Sequence, residues 1–218
     1  MKCKHEFCSM QILLTAATEN EIKLFSNTYS NIDILITGVG VPSTMYHLQK
    51  RLQQVDYDFV IQAGIAGTFS DEISLAETVL VKQDTFGDLG TEEKLLFTPC
   101  IASGLINPNE FPFANGWLIN AEGIPKNPTL KIVKAVTVNK VSDSIIQKQQ
   151  LVNSFNPQIE SMEGAALHYV CLHEKIPFLQ IRTISNYAGE RDKTKWKIKE
   201  AVENLNKELS MLVNQLTY

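Results

Sequence analysis

The stretch IPFLQIRTISNYAGERDKTKW, residues 176–196, joins an apolar run to a polar and charged loop. Its first part, Phe178–Ile184, has the length and composition of a buried strand. That strand ends by presenting Ser185 and Asn186 just before the charged residues. Open α/β sheets bind their ligands beyond the carboxyl ends of their strands. The stretch therefore predicts one strand of such a sheet and a binding site where the strand ends.

Short apolar runs of this kind recur along the chain and alternate with segments that have helical periodicity. This alternation is typical of an α/β fold. We predict six strands, which are Gln11–Ala16, Ile34–Thr37, Phe59–Gln62, Thr78–Val81, Ala135–Val138 and Phe178–Ile184.

Helices are predicted in three places between and after these strands. Pro42 suits the first turn of one helix. Residues 164–174, GAALHYVCLHE, are apolar around most of the helical circumference, which indicates a buried helix. The last helix has Asp192 as a candidate N-cap. Its apolar positions keep helical spacing over several turns, at Ile198, Ala201, Val202, Leu205, Leu209, Leu212, Val213 and Leu216.

Residues 84–128 have a different character, because Gly, Pro and Asn are frequent there and periodicity is weak. A loop-like stretch of this length usually carries function or an interface. The chain has neither an internal repeat nor a linker. We therefore expect one domain over residues 1–218, in which residues 1–9 form an extension before the first strand.

The composition is that of an ordinary globular protein, with 44% apolar and 20% charged residues among 218. The net charge is −4 and no Lys/Arg cluster occurs, which argues against a nucleic-acid partner. No apolar segment approaches the roughly 20 residues that span a membrane. These features predict a cytoplasmic protein.

Signals for a metal or a nucleotide cofactor are missing from the sequence. Cys3, Cys8, Cys100 and Cys171 have no metal-binding spacing, and a site built on Cys3, Cys8 and His5 lacks a fourth ligand. The patterns GxGxxG, GxxxxGK[ST], GxSxG and HExxH do not occur. We expect chemistry without a metal, a cofactor or a serine nucleophile.

What remains is a set of short motifs at strand ends and at one helix start. They are ATENE (17–21), TGVG (37–40), QAGIAGT (62–68), SMEGAA (161–166) and RTISN (182–186). Each alone has a structural explanation, since glycines form turns and a glutamate in a first helical turn favours the helix dipole. In this order, over nearly the whole chain, they resemble the purine nucleoside phosphorylase and nucleosidase superfamily. The resemblance is closest to its hydrolytic branch of methylthioadenosine/S-adenosylhomocysteine nucleosidases and futalosine hydrolases.

The resemblance implies roles for the motif residues. In ATENE it assigns the activation of water to Glu21, with Glu19 as the alternative. In SMEGAA it implies that Met162 lines the ribose pocket and that Glu163 binds the ribose hydroxyls. In QAGIAGT it implies contacts from Gly64 and Ile65.

The later motifs supply the water contact and the base contacts in the same resemblance. Arg182 helps to position the water, and Asn186 binds the base while Ser185 orients it. In the stretch DSII, Ile145 or Ile146 stacks on the purine. The fold that the resemblance implies has three αβα layers around a twisted mixed sheet, assembled as a homodimer or a higher homo-oligomer.

Two departures from the adenine-specific nucleosidases narrow the substrate. Those enzymes have an aspartate at the position of Asn186 and a serine at that of Ile65. Asparagine is common in the 6-oxopurine enzymes of the superfamily, and GERDKTKW with Trp196 resembles the futalosine hydrolases. The phosphate-binding GxPxR pattern of the phosphorylases is missing.

The expected reaction is therefore hydrolysis of futalosine to release hypoxanthine, in menaquinone biosynthesis. Two alternatives stay open: a methylthioadenosine/S-adenosylhomocysteine nucleosidase with altered base recognition, and a catalytically silent nucleoside-binding module. Futalosine carries an aromatic carboxylate on its 5′ side, which Arg191 could bind in a two-pronged pair. The competing interpretation of Arg191 is a surface arginine paired with Glu190 or Asp192.

Overall fold

The computed structural model describes residues 10–29, 32–94, 96–126, 128–142 and 144–217. The expected N-terminal extension, with Cys3, His5 and Cys8, lies outside the described residues. The strands are β1 (Ile12–Ala16), β2 (Asp33–Ile36), β3 (Phe59–Thr68), β4 (Thr78–Asp84), β5 (Gly90–Glu93), β6 (Leu96–Pro99), β7 (Leu118–Ile119), β8 (Lys131–Thr137), β9 (Ile159–Ser161) and β10 (Phe178–Tyr187). The helices are α1 (Glu19–Ser26), α2 (Val41–Leu52), α3 (Ile145–Phe155), α4 (Gly164–Glu174) and α5 (Ile198–Thr217).

The central sheet is mixed and is built around the long strands β3 and β10. Strand β1 pairs in parallel with β2 and β3, and β3 pairs in parallel with β10. Beyond β10 follow an antiparallel β4 and a β8 that runs parallel to β4. Strand β9 is parallel to β8 and antiparallel to the end of β3, so five strands close into a ring. A ring requires strong twist in the sheet.

Helices cover both faces of the sheet and bury its apolar side chains. Helices α1 and α5 share one hydrophobic cluster with β1, β3 and β10, in which Leu14, Phe25 and Leu205 are buried. Helices α2 and α4 share a second cluster with the other face, which includes Leu13 and Leu167. The predicted three-layer αβα fold with a twisted mixed sheet is confirmed.

Two predicted strands extend further than their apolar runs. Strand β3 continues through QAGIAGT to Thr68, and β10 continues through Ser185 and Asn186 to Tyr187. Their glycines and polar residues suggested turns, but these residues pair with one another across the sheet. The ends of β3 and β10 therefore carry motif residues on fixed backbone.

Part of the loop-like stretch 84–128 is a hairpin, in which β5 and β6 pair with each other. The two-residue β7 and the three-residue β9 also went unpredicted. Elements this short give no periodicity from which to recognise them.

The assignment of Asp192 as the N-cap of α5 was wrong. Its Oδ1 accepts from the N–H of Thr194 at 3.0 Å, which caps a 3₁₀ helix at Lys193–Lys195. Helix α5 begins at Ile198. The N–H of Lys197 donates to the carbonyl of Ser185 at 2.7 Å and so ties the helix start to the end of β10.

Candidate active site

A cavity of about 330 Å³ lies beyond the carboxyl ends of β1, β3 and β10. Residues from ATENE, QAGIAGT, SMEGAA and RTISN line it, together with Val39 of TGVG. The five motifs thus meet at one place, as the sheet topology requires of strand ends. The volume suits a small ligand.

The side chain of Glu21 is held at the cavity wall by three hydrogen bonds. Its Oε2 accepts from the N–H and the hydroxyl of Thr18, at 3.0 and 3.1 Å. Its Oε1 accepts from the N–H of Ile65 on β3 at 3.1 Å. The alternative glutamate, Glu19, is exposed and does not line the cavity. Within ATENE, the structure therefore brings Glu21 and not Glu19 to the site.

Arg182 is a buried cation, 1% exposed, on β10 behind the cavity. Its Nη2 donates to Oε1 of Gln62 at 2.5 Å, and its Nη1 lies 3.6 Å from Oε2 of Glu163. A Cβ atom at Gly64 would overlap with this guanidinium and lie 3.0 Å from Oε1 of Glu21. Gly64 therefore acts by leaving room for Arg182 beside Glu21.

Glu163 and Met162 lie in the wall of the cavity at the start of α4. Oε1 of Glu163 accepts from the N–H of Gly40 in TGVG at 3.2 Å. Burial raises the pKa of Glu163, and the nearby Arg182 guanidinium opposes that rise. The negative charge of Glu21 also raises the pKa of Glu163, because the two carboxylates repel each other.

Asn186 is buried and its amide is oriented by two neighbours. The hydroxyl of Ser185 donates to Oδ1 at 2.8 Å, and Nδ2 donates to the carbonyl of Tyr187 at 3.0 Å. The register of β10 against β3 shifts between Ile184 and Asn186. Such an irregularity re-aims a side chain. One amide hydrogen and one carbonyl lone pair remain for a ligand.

The buried Glu160, which lines the cavity from β9, was not predicted from the sequence. Its Oε2 accepts from the hydroxyl of Ser142 at 2.8 Å. Burial raises the pKa of Glu160 to about 7, despite this hydrogen bond and the positive charges of Arg191 and Lys148. The available signal was a glutamate directly before SMEGAA, after the apolar Ile159. Val138, Val141 and Trp196 also line the cavity, and none of the three was predicted as a site residue.

Besides Gly64 and Arg182, which are not among the lining residues, three more predicted contact residues do not line the cavity. Ile145 and Ile146 begin α3 and are 84% and 60% exposed, because the helix packs through Leu151 on its other side. Arg191 is exposed in the loop after β10 and does not line the cavity. Glu190 pairs with Lys195 at 2.6 Å, and Asp192 caps the 3₁₀ helix.

Within the described ranges, no three His, Cys, Asp or Glu side chains cluster as metal ligands do. The same part of the chain has no helix long and apolar enough to cross a membrane.

Residues 12–217 match the family described as the phosphorylase superfamily. The chain belongs to this superfamily. A futalosine hydrolase of Thermus thermophilus is 31% identical over 182 residues, which are 82% of this chain and 80% of that protein.

Solved structures of the superfamily share the fold. A Helicobacter pylori MTAN mutant, with 5′-methylthioadenosine in its active site, superposes with a TM-score of 0.80 at 16% identity. That match covers 95% of this chain and all of the other. The futalosine hydrolase of Helicobacter pylori gives a TM-score of 0.76 at 18% identity, over 95% of this chain and 98% of that one.

Proposed function

We propose that this superfamily member is a futalosine hydrolase that uses water to cleave the N-glycosidic bond and release hypoxanthine, in menaquinone biosynthesis. The observation that carries the proposal is one cavity lined by Glu21, Glu163 and Asn186, with the Arg182 guanidinium behind its wall. The 31% identity to a futalosine hydrolase supports the same substrate.

Glu21 is the proposed general base. A water molecule between Glu21 and Arg182 would attack C1′ of the sugar and pass its proton to the carboxylate. General-base catalysis of this kind is typically worth 10²–10⁴-fold in rate. The three protein donors to Glu21 fix its orientation before the substrate arrives, which reduces the entropy cost of the attack.

Glu163 is the proposed partner of the ribose. Its carboxylate would accept hydrogen bonds from the 2′ and 3′ hydroxyls and stabilise the positive charge that develops on the sugar. The N–H of Gly40 and the guanidinium of Arg182 hold it from the side away from the ligand. We call Glu21, Glu163 and Arg182 the hydrolytic end of the cavity.

Asn186 is the residue proposed to recognise the departing purine. As the C1′–N9 bond breaks, its electron pair passes to the base and N7 takes up a proton from solvent, while Glu21 later returns the proton of the attacking water to solvent. The amide of Asn186 would donate to O6 and accept from N7–H, and the second bond forms only as the base leaves. The hydrogen bond from Ser185 supports the required orientation of the amide.

We also propose that the protein forms a homodimer or a higher homo-oligomer. Tyr46 on α2 is 62% exposed and Phe111 is 61% exposed. They lie along grooves that Met45 and Tyr169 both line. Large exposed aromatic side chains along a groove are typical of an interface. Sedimentation equilibrium of the purified protein tests this proposal.

The deciding experiment follows the release of free base from futalosine and from methylthioadenosine by chromatography. Hypoxanthine from futalosine supports the proposed function. Adenine from methylthioadenosine, with futalosine left intact, would instead identify a methylthioadenosine nucleosidase. Binding of either nucleoside without cleavage would identify a binding module.

A further inference from the structure

Glu160 has one carboxylate oxygen that the protein leaves without a partner. The residue is 3% exposed and lies on β9, opposite Gly67 of β3. Ser142 donates to its Oε2, whereas Oε1 is buried and has no hydrogen-bond partner among the described residues. A buried carboxylate oxygen without a donor is costly. Because Glu160 lines the cavity, a ligand is the natural source of the missing donor.

The unpartnered oxygen of Glu160 and the amide of Asn186 both lie close to Gly67. A methyl group placed on Gly67 would lie 3.3 Å from Nδ2 of Asn186 and 3.5 Å from Oε1 of Glu160. The absence of a side chain at Gly67 thus leaves one space that both polar groups border. Together they offer two acceptors, Oδ1 of Asn186 and Oε1 of Glu160, and one donor, Nδ2 of Asn186.

A 6-oxopurine presents the complementary groups along one edge, in the order N7–H, O6 and N1–H. We propose that Glu160 accepts the N1–H of the purine and thereby selects 6-oxopurines over 6-aminopurines. This inference rests on the proposed function, since it completes the recognition of the base that Asn186 begins. Glu160 and Asn186 are called the base end of the cavity.

A 6-aminopurine is disfavoured in this position because its N1 is an acceptor without a hydrogen. The carboxylate of Glu160 would face the lone pair of N1, and both groups would stay buried without a donor. A site built around a specific hydrogen bond strongly rejects an analogue that lacks the donor or acceptor. This rejection is much stronger than that of an apolar pocket for a ligand that lacks one methylene.

The protonation of Glu160 gives this selection a pH dependence. The hydroxyl and the backbone N–H of Ser142, and the positive charges of Arg191 and of Lys148 on α3, favour the ionised form of its carboxyl. Burial raises its pKa to about 7, so the acceptor form predominates above that pH and the protonated form below it. A protonated Glu160 would donate to N1 of adenine. Selection for 6-oxopurines therefore weakens as the pH falls through about 7.

The experiment measures the binding of three free bases by titration calorimetry at about pH 8, above the pKa of Glu160. Hypoxanthine carries N1–H, 1-methylhypoxanthine lacks it, and adenine has an acceptor at N1. The wild-type protein is expected to bind hypoxanthine about tenfold or more tightly than either of the other two. Equal binding of hypoxanthine and 1-methylhypoxanthine by the wild type overturns the assignment without any variant.

Two variants and a control complete the test. Glu160→Ala removes the acceptor and opens space, so it should bind hypoxanthine and 1-methylhypoxanthine with similar affinity. Glu160→Gln can turn either its oxygen or its NH₂ toward N1, and the preference for hypoxanthine over adenine should fall toward unity. Glu203→Gln makes the same charge change on the exposed side of α5 and should keep the wild-type preference. A folded Glu160→Ala protein that retains the wild-type ratio contradicts the proposal.

The assay of futalosine cleavage separates the two proposals. If the wild type releases hypoxanthine from futalosine but does not discriminate at N1, the function stands and the role of Glu160 fails. If futalosine is not cleaved but the three bases are still discriminated as expected, the proposed function fails and the role of Glu160 stands.

Discussion

The two ends of the cavity differ in how completely the protein satisfies their carboxylate oxygens. At the hydrolytic end, each carboxylate oxygen of Glu21 and Glu163 has a backbone donor, a hydroxyl or the Arg182 guanidinium beside it. At the base end, Oε1 of Glu160 has no partner among the described residues, and Asn186 keeps a free donor and a free acceptor. In the proposed function, the satisfied carboxylates are held in place for chemistry, whereas the unpaired groups of the base end bind the purine.

Loss of the proposed base at the hydrolytic end should give the largest effect. Glu21→Gln keeps the size of the side chain and removes its proton acceptor, so kcat should fall by about 10²-fold or more while nucleoside binding persists. Glu19→Gln, the same change two residues away on an exposed position, should retain kcat. Single-turnover kinetics and a binding titration measure both quantities. Near wild-type turnover by the Glu21→Gln variant would exclude Glu21 as the base.

A matched pair of glycine substitutions compares the two ends directly. Gly64→Ala forces Arg182 away from Glu21, and a displacement of about 1 Å there should cost about 10²-fold in kcat/KM. Gly67→Ala has milder contacts, at 3.3–3.5 Å, with Asn186 and Glu160. It should lower kcat/KM by about tenfold or less and reduce the preference between bases. The reverse order of effects, in two proteins with wild-type circular dichroism, would contradict the division into two ends.

Asn186→Asp should change the preference for the base. An aspartate would place an acceptor against O6 and another against the carbonyl of Tyr187, where Nδ2 now donates. This arrangement costs about 1–3 kcal/mol for the 6-oxopurine, whereas a 6-amino group can donate to the carboxylate. The ratio of kcat/KM for futalosine to that for its 6-amino counterpart should therefore fall by about tenfold. An unchanged ratio would mean that Asn186 does not read the base.

Arg191→Ala should have the smallest effect, through the charge of Glu160. Arg191 favours the ionised form of Glu160 and so lowers its raised pKa. Without it the protonated form persists to higher pH, and the midpoint at which selection for the 6-oxo substrate appears should rise by a few tenths of a pH unit. The shift is small because Arg191 is exposed and its charge is screened by solvent. The pH profile of the selectivity ratio measures it. A raised KM for futalosine at every pH would instead support binding of the 5′ carboxylate.

Several features of the fold were predicted correctly from local sequence patterns. The six predicted strands and the helices at residues 164–174 and from Ile198 are present. They were predictable because the spacing of apolar residues and the length of an apolar run can be read within one segment. The α/β class, the three layers and the superfamily are confirmed as well. The strand-end motifs also meet at one cavity, as expected of parallel strands whose carboxyl ends share an edge.

Other features depended on contacts between distant segments, which no single segment encodes. Strand β9 forms because residues 159–161 complete the ring between β8 and β3. This pairing places the buried Glu160 in the wall of the cavity. Ile145 and Ile146 lie in a stretch that resembles the purine-stacking one, yet the packing of α3 through Leu151 turns them outward.

The sequence by itself determined the layers of the fold and the motif residues Glu21, Glu163, Arg182 and Asn186. Their types, and their places in motifs at strand ends and at a helix start, are local properties of the sequence. Only the tertiary structure decided which polar atoms find partners. Whether a buried oxygen is satisfied depends on every segment around it, as Ser142, Gly67 and Asn186 show for Glu160. Because these contacts join distant segments, the unpaired oxygen of Glu160 could be identified only from the folded structure.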